Sequence, residues 1–252
     1  MPNTIHWFEN PATAVKTATD LLRQGGKAVV TPTKVGYIIS TVDAGGLERK
    51  FDLKQRAKRK PAVVLCSSVE QLRELAVTNE QIEQLYSRCY QENLLLGCIL
   101  PWRPEAMAKY IPEGADAMVH DARNTSCFVI RFGEPSEQIV RAIWEQDHKL
   151  TFASSANPSG QGNRGRLDGI GERIASGADL LIEADAYVAQ QQPAASPETR
   201  YEQGVMISMV DEAGKLSAEP PVVIRRGLTV DRLMLELTRI YDKFDYRHGQ
   251  YY

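Results

Sequence analysis

The sequence predicts a single α/β domain built on a mixed sheet. Short apolar runs, such as residues 27–32, 62–66 and 150–154, alternate with segments of helical period along all 252 residues. No segment repeats, and no clean hinge divides the chain. A third observation concerns charge. From Arg49 to Lys60, seven of twelve positions are Lys or Arg, although the formal net charge is only −2. A basic run that ends on Pro61 and enters an apolar strand sits at the mouth of a sheet, where phosphate or nucleic acid can be held.

The elements follow in order. Asn10-Pro11 and the spacing of Ala14, Ala18, Leu21 and Leu22 predict a helix stopped by Gly25-Gly26. Residues 27–32 and 36–40 read as strands joined by a brief turn. Residues 43–53 read as a helix with Leu47 and Phe51 on one face and the Arg49-Lys50 pair exposed. After the basic stretch come a strand at 62–66, a short helix opened by Ser67 and Ser68, and a longer helix from Thr78 whose spacing to Gln81 suits a capping box. Residues 94–100 form a strand, 103–125 an irregular region, 127–132 a strand and 136–145 a helix. The strand 150–154 runs into the loop Ser155-Ala156-Asn157-Pro158-Ser159-Gly160. A short helix at 171–175, a strand at 180–182 and a mobile Gln/Pro/Ala-rich loop at 189–201 follow. Strands at 205–210 and 222–224 and a helix from Thr229 to about Lys243 complete the chain, so that residues 1–228 form the domain and 229–252 a C-terminal helix and tail.

Composition excludes several classes. Hydrophobic residues make up 43% and charged residues 25% of the chain, ordinary for a globular protein. No run approaches the roughly 18 apolar residues of a membrane span, and the N-terminus has no signal-peptide pattern, so a cytoplasmic location is expected. Cys66, Cys89, Cys98 and Cys127 are far apart, as are the four His, which argues for reduced buried thiols and against zinc.

One motif misleads. Gly160-Gln161-Gly162-Asn163-Arg164-Gly165 matches the dinucleotide fingerprint, and Asp185 lies about twenty residues on. That fingerprint needs its first Gly directly after a strand and a helix starting inside it. Here the loop from Ser155 to Ser159 intervenes, and Gly169 and Gly171 break any helix.

Three loops stand at strand ends instead: Pro32-Thr33-Lys34-Val35-Gly36-Tyr37; Lys54, Arg56 and Lys60 before Pro61; and Ser155, Asn157 and Pro158. With Arg225-Arg226-Gly227 they fall in an order that resembles the YrdC/YciO-like family over about residues 12–227. The resemblance implies one YrdC-like domain, a twisted mixed sheet with flanking helices around a basic groove. It further implies formation of threonylcarbamoyl-adenylate from ATP, bicarbonate and L-threonine, with release of pyrophosphate, for tRNA modification. By match, Lys54, Arg56 and Lys60 contact ATP phosphates, Lys54 and Arg56 taking the catalytic part. Ser155 and Asn157 line the nucleotide site, Arg225 closes on the phosphates, and Thr33, Tyr37 and Arg131 face the amino acid, Arg131 taking its carboxylate. Mg2+ is expected with the ATP, held mainly by phosphate oxygens and water.

The sequence also departs from the family pattern. Lys34 replaces an acidic residue and Val35 a Thr, Ile38 replaces a Gly, and Gly36-Tyr37 is closer to the YciO branch. Glu92-Asn93-Leu94-Leu95-Leu96-Gly97 stands where the family has Trp-Pro-Gly-Pro-Leu-Thr, and Leu65 where many synthases have His. The late Ser-Thr-Val-Val-Asp becomes Ile207-Ser208-Met209-Val210-Asp211. These changes fall mostly on the amino-acid side, so the acceptor is threonine or another amino acid. The competing expectation is a nucleotide- or double-stranded-RNA-binding protein that keeps the groove and has no chemistry.

Overall fold

The structure is a computed structural model that describes residues 3–55, 60–158, 160–196 and 198–247. The first helix, α1 (Pro11–Arg23), follows a short strand β1 (Asn3–His6) and ends at Gly25 and Gly26, both at positive φ. Asp43 then organises the next turn. Its carboxylate accepts from Gly26 N and, through Oδ1, from Gly46 N at 2.8 Å, which caps α2 (Ala44–Lys54). Between them lies the hairpin β2 (Val29–Thr33) and β3 (Gly36–Thr41). The strands β4 (Val63–Leu65), β5 (Leu96–Pro101), β6 (Thr125–Ile130) and β7 (Thr151–Ser155) supply the middle of the sheet. To these the chain adds β8 (Leu180–Glu183), β9 (Val205–Ser208), β10 (Val222–Arg225) and β11 (Asp245–Tyr246).

Among the described residues these strands form one mixed sheet in the order β1-β8-β2-β3-β7-β4-β6-β5-β9-β10-β11. Side chains alternate across each strand, so paired residues mark the faces. Tyr37, Ile39, Val64, Phe128, Phe152, Leu96, Cys98 and Ile207 lie on one face. Its main core packs beneath α2, α3 (Val69–Leu75), α4 (Glu80–Gln91) and α10 (Val230–Ile240). The second face carries Val29, Ile38, Ala153, Val63, Leu65 and Val129. There α1 and α7 (Ser136–Asp147) cover the β8-β2 end, and Phe132, Leu95 and Val140 pack over the middle. Residues Leu233 and Leu237 of α10 belong to the main core, and Glu236 is ion-paired with Arg88 of α4.

Several expectations change. The region 103–125 contains α5 (Pro104–Tyr110) and α6 (Asp116–Val119), since Pro104 starts a helix rather than interrupting one. The cap of α4 is Asn79, whose Oδ1 accepts from Ile82 N, and Thr78 donates to Glu83 instead. Strand β6 starts and ends two residues earlier than expected, because Arg131 takes a positive φ. After α8 (Glu172–Gly177), residues 189–191 close α9 (Asp185–Gln191), and Gln192 is buried, its amide donating to Lys34 O and Glu202 O. The segment expected to be mobile is therefore tied to the fold at its start. The edge strands β1 and β11 have too little apolar pattern to be read from sequence. The four cysteines are free, with three of them buried, as expected.

Tyr86 shows how the main core handles polarity. Its hydroxyl, fully buried, donates to Phe128 O at 2.8 Å and accepts from Cys98 N at 3.1 Å, joining α4 to β5 and β6. We expect Tyr86→Phe to destabilise the protein by about 1–3 kcal/mol in urea unfolding, because it strands a buried N–H.

Candidate functional site

The site grows from the last turn of α2. Leu47, Lys50, Phe51 and Lys54 recur at helical spacing and all face inward. Lys54 is only 5% exposed, and its Nζ donates to Ser155 O and, at 3.2 Å, to Ser155 Oγ. Two predicted site residues 101 positions apart thus meet at the end of β7. Lys60 is exposed at the entry to β4. It lines a narrow recess with Lys50, Phe51, Lys54, Ala62 and Ser154. Arg56, like Lys58 and Arg59, lies outside the described residues.

The expectation that Lys50 and Arg49 are solvent-exposed is corrected. Lys50 is 2% exposed, and Arg49 binds Asp179 Oδ2 at 2.7 Å and Gly177 O at 2.6 Å. The sequence signal was present: Lys50 is one turn before Lys54 and one turn after Leu47, on the apolar stripe.

The loop after β7 is clamped to the hairpin. Ala156 N donates to Tyr37 O at 2.7 Å, and Asn163 Nδ2 donates to the same carbonyl at 3.3 Å while its Oδ1 accepts from Gly165 N. Gly36, at φ 103°, leaves the space: a Cβ there would stand 2.1 Å from the Asn163 amide. Asn157 is buried, its Nδ2 donating to Pro158 O at 2.8 Å, while its Oδ1 has no hydrogen-bond partner. The glycines of the apparent fingerprint serve this loop. Gly160, Gly162 and Gly165 all have positive φ, no helix begins among them, and Asp185 accepts from Tyr37 OH and Leu167 N.

The remaining predicted residues are held by the protein itself. Thr33 Oγ1 donates to Gly36 O at 2.6 Å and accepts from Val35 N, building the hairpin turn. The Tyr37 ring is fully buried and its hydroxyl, besides donating to Asp185, accepts from Ala184 N. Burial and that carboxylate push its pKa up. Arg131 donates to Glu137 Oε2 at 3.1 Å, and its guanidinium lies 4.6 Å from the centre of the Tyr90 ring. Arg225 donates to Gly204 O at 2.7 Å and Gln203 Oε1 at 3.2 Å. Strand registers place Arg225, Met206, Gly97, Val129 and Leu65 on the face that also carries Ser155. Five strand steps separate β10 from β7, roughly 24 Å along a flat sheet.

Two departures from the family pattern touch each other. Lys34, 6% exposed, donates from Nζ to Asn93 O and Asn93 Oδ1, both at 2.7 Å. Burial lowers its pKa to about 8; Glu137 opposes the shift and Arg131 adds to it. Burial also raises the Glu134 pKa nearby, with Glu137 contributing. Unfolded, the lysine takes up its proton below about pH 10.4. Between the two values the unfolded chain binds more protons, so stability attributable to Lys34 rises as pH climbs from 8 to 10. We expect thermal melts of the wild type to gain on Lys34→Met across that window, and a pH-independent difference would rule this out.

The fold and site define a class: an α/β sheet protein with a lysine-bearing helix end closed onto a Ser-Ala-Asn loop. The chain belongs to the Sua5, YciO and YrdC family, described as "Telomere recombination", whose model matches residues 20–195. Arg225 and the strands β9 and β10 lie beyond that match. A hypothetical protein of Streptococcus mutans UA159 is 48% identical over 100% of both chains, with a TM-score of 0.91. P. abyssi Sua5 complexed with L-threonine shares the fold at 19% identity and a TM-score of 0.62. That likeness covers 94% of this chain and 61% of Sua5. E. coli YciO shares it at 18% identity and a TM-score of 0.62, over 90% of this chain and 96% of YciO. No curated protein matches the chain in sequence. No helix among the described residues is long and apolar enough to cross a membrane.

Proposed function

We propose that the protein joins ATP, bicarbonate and an amino acid into a carbamoyl-adenylate, threonylcarbamoyl-adenylate being the reference product, and releases pyrophosphate for tRNA modification. The observation that carries this reading is the meeting of Lys54 with Ser155, since it assembles two motifs of the family at one strand end. Family membership and the fold shared with P. abyssi Sua5 complexed with L-threonine support it.

The chemistry asks for positioning and charge neutralisation. An amine and CO2 give a carbamate, a carbamate oxygen attacks the α-phosphorus, and the bond to pyrophosphate breaks. Lys54, Arg56 and Lys60 would neutralise the triphosphate, and Ser155 and Asn157 would line the nucleotide, with the Asn157 Oδ1 left for a donor group. Arg225 would approach from β10, and Arg131, on release from Glu137, would take the amino-acid carboxylate. Thr33 and Tyr37 would act by shaping the hairpin beside the amino acid. Mg2+ would arrive on the triphosphate, held by its oxygens and water; among the described residues no three His, Cys, Asp or Glu gather to hold an ion.

The test is incubation with ATP, Mg2+ and bicarbonate against single amino acids, following pyrophosphate and detecting the adenylate by mass. Product with threonine supports the reference reaction, and product only with another amine moves the substrate. Absence of product with every amine sinks the enzyme reading. Salt-sensitive RNA or nucleotide binding without product would favour the non-catalytic alternative, which the internal pairing of Lys34 and Arg131 suits. We expect Arg56→Ala to weaken ATP binding by about 1.5–3 kcal/mol in calorimetry, the loss typical of a charge-assisted contact.

A further inference from the structure

The middle of the second face of the sheet carries an apolar strip. Strand registers pair Ile38 with Ser155, Val63 with Ala153 and Leu65 with Val129, so these side chains share that face. Leu65, Leu95, Phe132 and Ala153 are buried together there, and Val35, Ile38, Val63 and Val129 pack against them. The last four stay partly exposed, whereas α1 and α7 seal the β8-β2 end of the same face. The strip has a polar border at each end. Ser155 closes β7, and Arg131 follows β6 two positions after Val129. The Arg131 Nε has no hydrogen-bond partner, although Nη1 binds Glu137. Two strand steps, about 10 Å, separate β7 from β6. The polar groups around the strip are engaged or out of reach. Thr33 Oγ1 donates to Gly36 O, and Lys34 Nζ donates to Asn93 O and Oδ1. Thr151 and Ser40, on the same face, are 0% and 3% exposed.

We propose that this strip receives the side chain of the amino-acid substrate, and that the substrate carries an apolar, branched side chain, such as that of valine, rather than the side chain of threonine. The inference rests on the reaction proposed above. With its carboxylate on Arg131 and its carbamate directed to the nucleotide at Ser155, the amino acid lays its remaining substituent across Val35, Ile38, Val63 and Val129. Valine and threonine have the same shape and differ by a methyl in place of a hydroxyl. On this surface the methyl gains apolar contact, whereas the hydroxyl leaves water without a partner. Apolar sites separate such a pair by up to about 100-fold, and a strip that stays partly open should reach about tenfold.

The test is kcat/KM for pyrophosphate release by the full chain, with ATP, Mg2+ and bicarbonate, for L-valine, L-isoleucine, L-threonine, L-serine, L-aspartate and L-lysine. Valine should exceed threonine about tenfold, and Val35→Thr and Val129→Thr should each lower that ratio about threefold or more. Both substrates are read on one preparation, so partial unfolding of a variant leaves the ratio intact, and the wild-type ratio decides by itself if neither variant folds. Threonine, serine or a charged amino acid that equals or exceeds valine and isoleucine overturns the proposal and leaves the reaction standing. A ratio unchanged in both variants also overturns it. If no amine gives adenylate, the reaction fails and calorimetry with valine and threonine in the presence of ATP judges the strip. Tighter binding of valine, weakened by Val129→Thr, upholds it, and equal or absent binding of the two overturns it.

Discussion

The candidate site depends on one close approach, that of the loop after β7 to the Gly36-Tyr37 end of the hairpin. Two donors from the loop, Ala156 N and Asn163 Nδ2, converge on the Tyr37 carbonyl. That convergence requires a residue without a Cβ at 36. From it follow the direction of Ser155 and, through Ser155, the place where Lys54 lands. The Tyr37 side chain anchors the same residue from the opposite side, through Asp185 and Ala184. A polar contact this dense is stable only because nearly every donor finds an acceptor. Two atoms nearby have no hydrogen-bond partner, the Ser154 hydroxyl at the end of β7 and the acceptor Asn157 Oδ1 in the loop after it.

Helix α2 carries the electrostatic side of the arrangement. Burying a lysine is expensive unless its charge is met by oxygen acceptors or anions. Lys54 meets the Ser155 carbonyl at a strand end, and Arg49 on the adjoining face meets Asp179, which Lys27 also binds. The basic stretch is thereby split by helical geometry. Arg49 braces α2 against the loop before β8, whereas Lys50 and Lys54 are turned inward. Sequence density of charge cannot make that division, because it counts residues without their angle around the helix.

The fold was legible where period and punctuation agree. The β2–β3 hairpin, α1, α2, α7, β7 and β8 lie within a residue or two of their expected positions, since Gly25-Gly26, Asp43 and the apolar alternation all point the same way. The helices at Pro104 and Asp116 were hidden because Pro and Gly in that region read as breakers while acting as starts and stops. At the site, the resemblance assigns Lys54 to the ATP phosphates and Ser155 to the nucleotide, and the two side chains are in contact with each other. The occupation of Tyr37 and Arg131 by internal partners was not legible, because Asp185 and Glu137 come from helices whose approach is set by tertiary packing, whereas the Thr33 bond to Gly36 lies within one hairpin turn.

The amino-acid side of the site shows why order along the chain was insufficient. Lys34 and Asn93 look like unrelated departures, 59 positions apart, yet one side chain receives the other. A lysine in place of an acidic residue would be intolerable in this buried turn without acceptors. Asn93, at φ 53°, turns both its carbonyl and its amide oxygen toward that ammonium. Asparagine is one of the few side-chain-bearing residues that adopt this conformation readily. Asn93 therefore makes Lys34 tolerable, and changing Asn93 alone would leave a buried charge without two of its acceptors. The hairpin tip is locked to the entry of β5 by this pair, while the Ser155 side keeps its uncommitted polar atoms. The two sides of the site thus differ physically: one is closed by internal hydrogen bonds and an ion pair, and the other keeps a buried hydroxyl and a buried amide oxygen with no hydrogen-bond partner.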